Sequence, residues 1–273
     1  MSSFPPIKAA AANGTVIEWA RRLLDVAGRK GVMLRMYGSA AVFVHCQNNA
    51  ASSGAFVFGD LDLITRGGHR RAVESVFASL GFEADSSNAG IPGAPTRVFY
   101  LARDGKIELR VDVAFERLEF CHLLTIGDRL AVDEPTIPLA ELLLSKLQIA
   151  MPSERDILHI RLLLAEHPVG DSDHETICRE VVEKHVGRDY ALWATVNQNV
   201  LRVRACPPSL VASAETAVEE GLNRLEQILL SGKRTITWRL QHVAARWLPF
   251  LGKPHAVEPI GMPMGERLEP WKV

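Results

Sequence analysis

The sequence predicts a mixed α/β fold, a sheet flanked by helices, followed by an all-helical region. Three observations carry that prediction. Up to residue 115, stretches with helical spacing of apolar residues alternate with strand-like apolar runs. An Asp104-Gly105 pair sits between two such runs, which is a strong hairpin signal. From Pro138 onward, helical spacing takes over. The boundaries that follow are an α/β domain over residues 1–135, a helical domain over 136–251, and an extended tail over 252–273. In the tail, Pro254, Pro259, Pro263 and Pro270 oppose helix formation.

Residues 15–30 place Ile17, Ala20, Leu23, Leu24 and Ala27 on one helical face. Residues 32–37 read as a strand, Gly38-Ser39 as a turn, and 40–46 as a short apolar helix. Such a turn exposes backbone N–H groups at a helix N-terminus, where anions bind. A polar loop over 47–54 leads to a strand over 55–65, which carries Asp60 and Asp62 and is ended by Gly67-Gly68. A helix over 69–80 follows, capped by Gly81, and then a loop over 85–95.

Residues 96–102 and 106–115 form the hairpin. Counting back from its turn pairs Arg103 with Lys106, Leu101 with Glu108, Phe99 with Arg110 and Arg97 with Asp112. Residues 126–132 read as a further short strand. Helices are expected over 139–151, 153–166 with Ser153 as N-cap, 176–185, 190–203, 210–230 and 235–251.

Composition limits the functional classes. Apolar residues make up 47% and charged residues 23% of 273, which excludes long disorder. The formal net charge of −1 gives no overall attraction to nucleic acid or membrane, so either would need a local patch. Cys46, Cys121, Cys178 and Cys206 are scattered without a CxxC pair. The N-terminal stretch lacks a basic region followed by an apolar run, and no segment approaches about 18 consecutive apolar residues. The expectation is a reduced, soluble, cytoplasmic protein with no membrane partner.

Asp60 and Asp62, two residues apart on a strand, project from the same face. Two carboxylates brought to about 4 Å repel by about 4 kcal/mol at the effective dielectric near a protein surface. Either a proton or a cation must relieve that repulsion, and Mg2+, a hard ion that takes oxygen ligands, suits the pair. The hairpin adds Asp112 as a third acidic residue, with Arg97 opposite it. Arg66, His69, Arg70 and Arg71 form a basic run just after the acidic strand, near where a polyphosphate or RNA acceptor would lie.

The order of a Gly-Ser turn, an acidic-x-acidic strand and a third acidic strand residue resembles the nucleotidyltransferase superfamily of the DNA polymerase β type. Over about residues 35–167 the chain looks similar to its AbiEii-like abortive-infection branch. There the small-residue turn is followed by an apolar helix, here residues 40–44, and later by an "eLLleKl" helix and an "RDlyDl" segment. Here the helix is residues 140–147, with Lys146, and the segment is Arg155-Asp156-Ile157-Leu158-His159. His159 stands where the pattern has a second Asp.

The resemblance implies that Asp60, Asp62 and Asp112 bind two Mg2+ ions, or Mn2+ in their place. It implies that Gly38 and Ser39 hold a nucleoside triphosphate such as ATP and that Lys146 neutralises it. Arg66 and Arg97 are further candidates for nucleotide contacts, and Asp156 joins the catalytic set. The implied reaction transfers a nucleoside monophosphate to an acceptor hydroxyl, on RNA such as tRNA or on protein, in a toxin-like setting with a cognate antitoxin. The alternatives are a small-molecule acceptor of the antibiotic type, or an inactive nucleotide-binding or interaction module on the same fold.

Overall fold

The computed structural model describes residues 13–48, 56, 58–85, 94–104, 106–206 and 214–247. The tail over 252–273 lies outside the described residues, as do Gly105, most of the loops expected at 47–54 and 85–95, and the ends of the last two expected helices.

A five-stranded mixed sheet runs in the order β1-β2-β5-β4-β3. Its strands are β1 (Leu34–Met36), β2 (Leu61–Thr65), β3 (Glu83–Ala84), β4 (Thr96–Arg103) and β5 (Lys106–Phe115). β2 and β5 are parallel, and every other neighbouring pair is antiparallel. Helix α1 (Asn13–Arg29) buries Val16, Ile17, Ala20, Leu23 and Ala27. These are largely the residues that helical spacing selects. Helix α2 (Gly38–His45) follows β1, and α3 (Arg70–Ser79) buries Val73, Val76 and Phe77. Gly81 ends the α3 region at φ +82°, a left-handed turn natural to glycine.

Three strand expectations are corrected. The acidic strand begins at Leu61 rather than at 55, although Phe56 and Phe58 upstream are buried. A register shift between Leu101 and Ala102 moves the hairpin pairing by one residue, so Leu101 faces Leu109 and Val98, not Arg97, faces Asp112. A bulge adds a residue on one strand and so flips which side chains share a face. Residues 126–132 form no strand. A short hairpin of β6 (Arg117–Glu119) and β7 (Leu123–Thr125) comes first, and a 3-10 turn over Gly127–Arg129 follows. The turn is set by Glu116 at φ +70°, whose carbonyl accepts the N–H groups of both Ile126 and Gly127.

The second half is helical apart from a two-residue parallel pairing of β8 (Val169–Gly170) with β9 (Ile177–Cys178). Its helices are α4 (Leu139–Leu147), α5 (Glu154–Glu166), α6 (Arg179–Val186), α7 (Tyr190–Ala205), α8 (Glu215–Ser231) and α9 (Ile236–Trp247). Every residue of α4 except Lys146 is buried. Helix α2 packs against β2, α4 and α5, so one apolar core runs from the sheet into the helices. Ser153 caps α5 as expected: its hydroxyl accepts the Asp156 N–H, and the Asp156 carboxylate accepts the Ser153 N–H. No helix among the described residues is long and apolar enough to cross a membrane.

Candidate active site

The site grows from the β1–α2 junction. Tyr37 donates its backbone N–H to the Asp62 carbonyl at 3.0 Å, which ties the end of β1 to β2. Gly38 then turns at φ +70°. A Cβ there would lie well inside 3.0 Å of an Asp62 carboxylate oxygen and 3.0 Å from its Cγ. Glycine is therefore required twice, by the left-handed backbone and by the carboxylate lying against it. Ser39 follows in the first turn of α2, beside the free N–H groups of the helix start.

Parallel pairing sets Asp62 directly beside Asp112. With Asp60 they form the one acidic cluster among the described residues whose ligand atoms all lie within 4.8 Å of one another. Burial pushes the Asp62 carboxyl up to about 8; repulsion from Asp60 and Asp112 adds to the shift, while Lys146 and Arg110 oppose it. Burial also raises the Asp112 carboxyl against the pull of Arg110. Asp62, buried against two other carboxylates, holds a proton at neutral pH unless a cation takes its place. A hard divalent ion fits the all-oxygen donor set.

Arg110 grips Asp112 through two hydrogen bonds, Nε to Oδ1 at 2.8 Å and Nη2 to Oδ2 at 2.7 Å. The pair is bidentate and charge-assisted, which fixes the orientation of the carboxylate. Lys146 Nζ donates to Asp156 Oδ1 at 3.0 Å, with both side chains largely buried. Burial would raise the Asp156 carboxyl, but Lys146 and Ser153 outweigh it and hold it below its ordinary value. The Lys146 charge also acts on Asp62, opposing the rise of its carboxyl.

The structure thus brings together Asp60, Asp62, Asp112 and Gly38, with Ser39 beside them and the Lys146–Asp156 pair on the helical side. It does not bring Arg66 or Arg97 to the carboxylates. Arg66 lies four residues beyond Asp62, about 13 Å along the strand direction. Arg97 is on the sheet face opposite Asp112 because of the bulge, and its Nε lies 3.6 Å from Glu74 on α3.

Two residues escape the sequence reading. The buried Tyr37 hydroxyl lies near the cluster: burial first, then the charges of Asp62, Asp112 and Asp60, push it well above its ordinary value, so it keeps its proton. Its only sequence signal is its place just before Gly38. Arg110 was visible as a same-face neighbour of Asp112, two residues away, but the expected register set Arg97 there instead.

No family model and no curated protein matches the chain. Among solved structures it is similar to the antibiotic-resistance factor ANT(2'')-Ia, at 12% identity, 71% of this chain, 97% of that one and a TM-score of 0.43. It is also similar to an antigenic nucleotidyltransferase-like protein from Paracoccidioides brasiliensis, at 12% identity, 78% and 94% coverage and a TM-score of 0.41. Terminal uridylyl transferase 4 from Trypanosoma brucei, solved with bound GTP, matches at 15% identity over 81% of this chain and 64% of that one, with a TM-score of 0.27. Identities this low do not transfer residue roles, so the chemistry of the site rests on its own geometry.

Proposed function

We propose that the chain is a metal-dependent nucleotidyltransferase that moves a nucleoside monophosphate from a nucleoside triphosphate to an acceptor hydroxyl and releases pyrophosphate. The observation that carries the reading is the convergence of Asp60, Asp62 and Asp112 against a glycine that only glycine can replace. The α/β portion to about residue 135 supplies this cluster, and the helical portion supplies Lys146.

Asp60, Asp62 and Asp112 would hold the divalent ions, two Mg2+ or Mn2+ in their place. When bound, such ions neutralise the phosphates and activate the attacking hydroxyl. The residues do the rest by positioning and charge. The N–H groups at the start of α2, with the Ser39 hydroxyl, face the phosphates. Lys146 adds a positive charge on the helical side, held in place by Asp156. Arg110 fixes Asp112 with one oxygen edge engaged, and Asp112 accepts the acceptor hydroxyl's proton at its carboxylate.

The AbiEii-like affinity is the finer part of the reading, supported by the Lys146 helix and the Asp156 cap, and it favours RNA or protein as acceptor with an antitoxin partner. Incubation with nucleoside triphosphates labelled at the α-phosphate, in the presence of RNA, protein or antibiotic-type small molecules, tests it. Label on macromolecules supports the toxin-like version, and label only on small molecules replaces it. One observation favours a second reading, a nucleotide-binding module without catalysis: Arg110 already neutralises Asp112. Label on none of the acceptors, with nucleotide binding intact, selects that module.

A further inference from the structure

Helix α9 carries apolar side chains on two opposite faces, and the fold uses only one. On the inner face Trp238 packs edge-on against Tyr190 and Trp193 of α7, at 5.3 and 5.6 Å between ring centres. The His242 ring lies 5.0 Å from that of Tyr190, and Gln241 Oε1 accepts the Tyr190 N–H at 3.0 Å. This face accounts for how α9 is held.

The outer face is different. Ile236, Leu240, Val243 and Trp247 are 77%, 66%, 56% and 82% exposed. Their 4-3-4 spacing is that of a heptad seam, d-a-d-a, which is the pattern that inserts into a facing helix as knobs into holes. Thr237 and Arg239 flank the seam, both exposed, and the sequence places a second arginine, Arg246, one heptad beyond Arg239. An apolar seam that the described residues do not cover, rimmed by polar residues, marks an interaction surface.

The flanks decide what covers it. A bilayer surface needs a broad apolar arc, whereas a strict a/d stripe is the narrower seam of a helix pair. A second copy brings no acidic group to the flanks: antiparallel pairing sets Arg239 against another arginine position, and parallel pairing sets it against Ala244. A helix with acidic residues at e and g satisfies both the seam and the arginine flank. We propose that the outer face of α9 docks an amphipathic helix of a partner protein, apolar at its a and d positions and acidic at the flanking ones. The inference is independent of the catalytic reading.

The probe is a stapled, monomeric helical peptide of about 18 residues, about 27 Å long, with leucine at a and d and glutamate at e and g. A matched peptide carries lysine at e and g. Each is titrated against the full chain by fluorescence anisotropy. The glutamate peptide is expected to bind about 10-fold more tightly than the lysine peptide, a preference that shrinks with salt. Leu240→Gln with Val243→Gln removes the binding while leaving the unfolding midpoint in place, and Arg239→Glu reverses the peptide preference.

Equal affinity for the two peptides, no binding by either, or binding indifferent to the Leu240/Val243 substitutions overturns the proposal. A dimer of the chain in sedimentation velocity that the same substitutions dissolve assigns the face to a second copy. Binding to phosphatidylglycerol vesicles that they abolish assigns it to a membrane surface. Either result overturns the proposal as well.

Discussion

Gly38→Ala is the most informative single substitution because the chain contains its own control. Gly38 and Gly31 both sit at φ +70°, but a Cβ on Gly31 meets nothing within 4 Å, while one on Gly38 meets the Asp62 carboxylate. The left-handed backbone costs a non-glycine residue about 1–2 kcal/mol at either position. For a chain of this size that cost lowers the unfolding midpoint by about 2–8 °C. Only Gly38→Ala adds the contact. Reaching an ordinary separation of about 3.5 Å requires the carboxylate to retreat by on the order of 1 Å. A displacement of that size at reacting groups lowers turnover about 100-fold. The assays are thermal unfolding with and without Mg2+, and nucleotide transfer. Gly31→Ala is expected to lose stability while keeping Mg2+-dependent stabilisation and activity within about twofold, whereas Gly38→Ala loses both. If the two variants behave alike in Mg2+ response and turnover, the glycine is not a cradle for Asp62 and the reasoning fails.

Three other predictions follow from the same contacts. Arg110→Ala removes the guanidinium that competes for Asp112, so Mg2+ binds more tightly by calorimetry while turnover falls because the carboxylate is no longer oriented; a loss of Mg2+ affinity would contradict this. Lys146→Met and Asp156→Asn are expected to couple by about 1–3 kcal/mol in a double-mutant cycle of urea unfolding, since both groups are largely buried and each alone leaves the other without its partner; additivity would show that the pair is incidental. Burial holds His159 down at about 3, its ring nitrogens have no partner among the described residues, and the ring stacks on Phe56 with centroids 4.9 Å apart. Because the folded value lies below the unfolded one of about 6.5, its stabilising contribution is present above about pH 6.5 and falls by about 1.4 kcal/mol per pH unit below it. His159→Phe should flatten the acid limb of urea-unfolding stability against pH and raise stability near neutrality; an unchanged acid limb would refute the assignment.

Much of this architecture was legible in the sequence, for physical reasons that differ by element. Helix α1 was visible because its apolar residues repeat at helical spacing, and the Ser153 cap because the side chain that satisfies the helix start lies next to it in sequence. The acidic cluster was legible because the Asp-x-Asp spacing brings two carboxylates to one place, although Asp60 lies in the bend just before β2 and not on the strand, and the parallel β2–β5 pairing then adds Asp112. What failed was nonlocal. The bulge at Leu101 and Ala102 has no residue signature, and one inserted residue carried Arg97 to the opposite face and left Arg110 as the partner of Asp112. The stretch over 126–132 is apolar enough for a strand, but Ile126 and Leu130 are buried through a turn anchored by Glu116, a contact between residues about ten apart. The approach of Tyr37 to Asp62, made through its backbone N–H and the Asp62 carbonyl, joins two separate stretches and leaves no trace in either one. The second apolar face of α9 was merged at the sequence level into an ordinary helical pattern, because spacing cannot say which face the fold covers.

The central claim is that Asp60, Asp62 and Asp112 together hold divalent cations for a nucleoside triphosphate. Calorimetric titration of the chain with each nucleoside triphosphate, with and without Mg2+, compared with Asp60→Asn plus Asp62→Asn, tests it most directly. The account predicts saturable nucleotide binding that requires Mg2+ and is lost in the double variant while its fold, by circular dichroism, is kept. Nucleotide binding that is absent, independent of Mg2+, or unchanged by the two substitutions would contradict it.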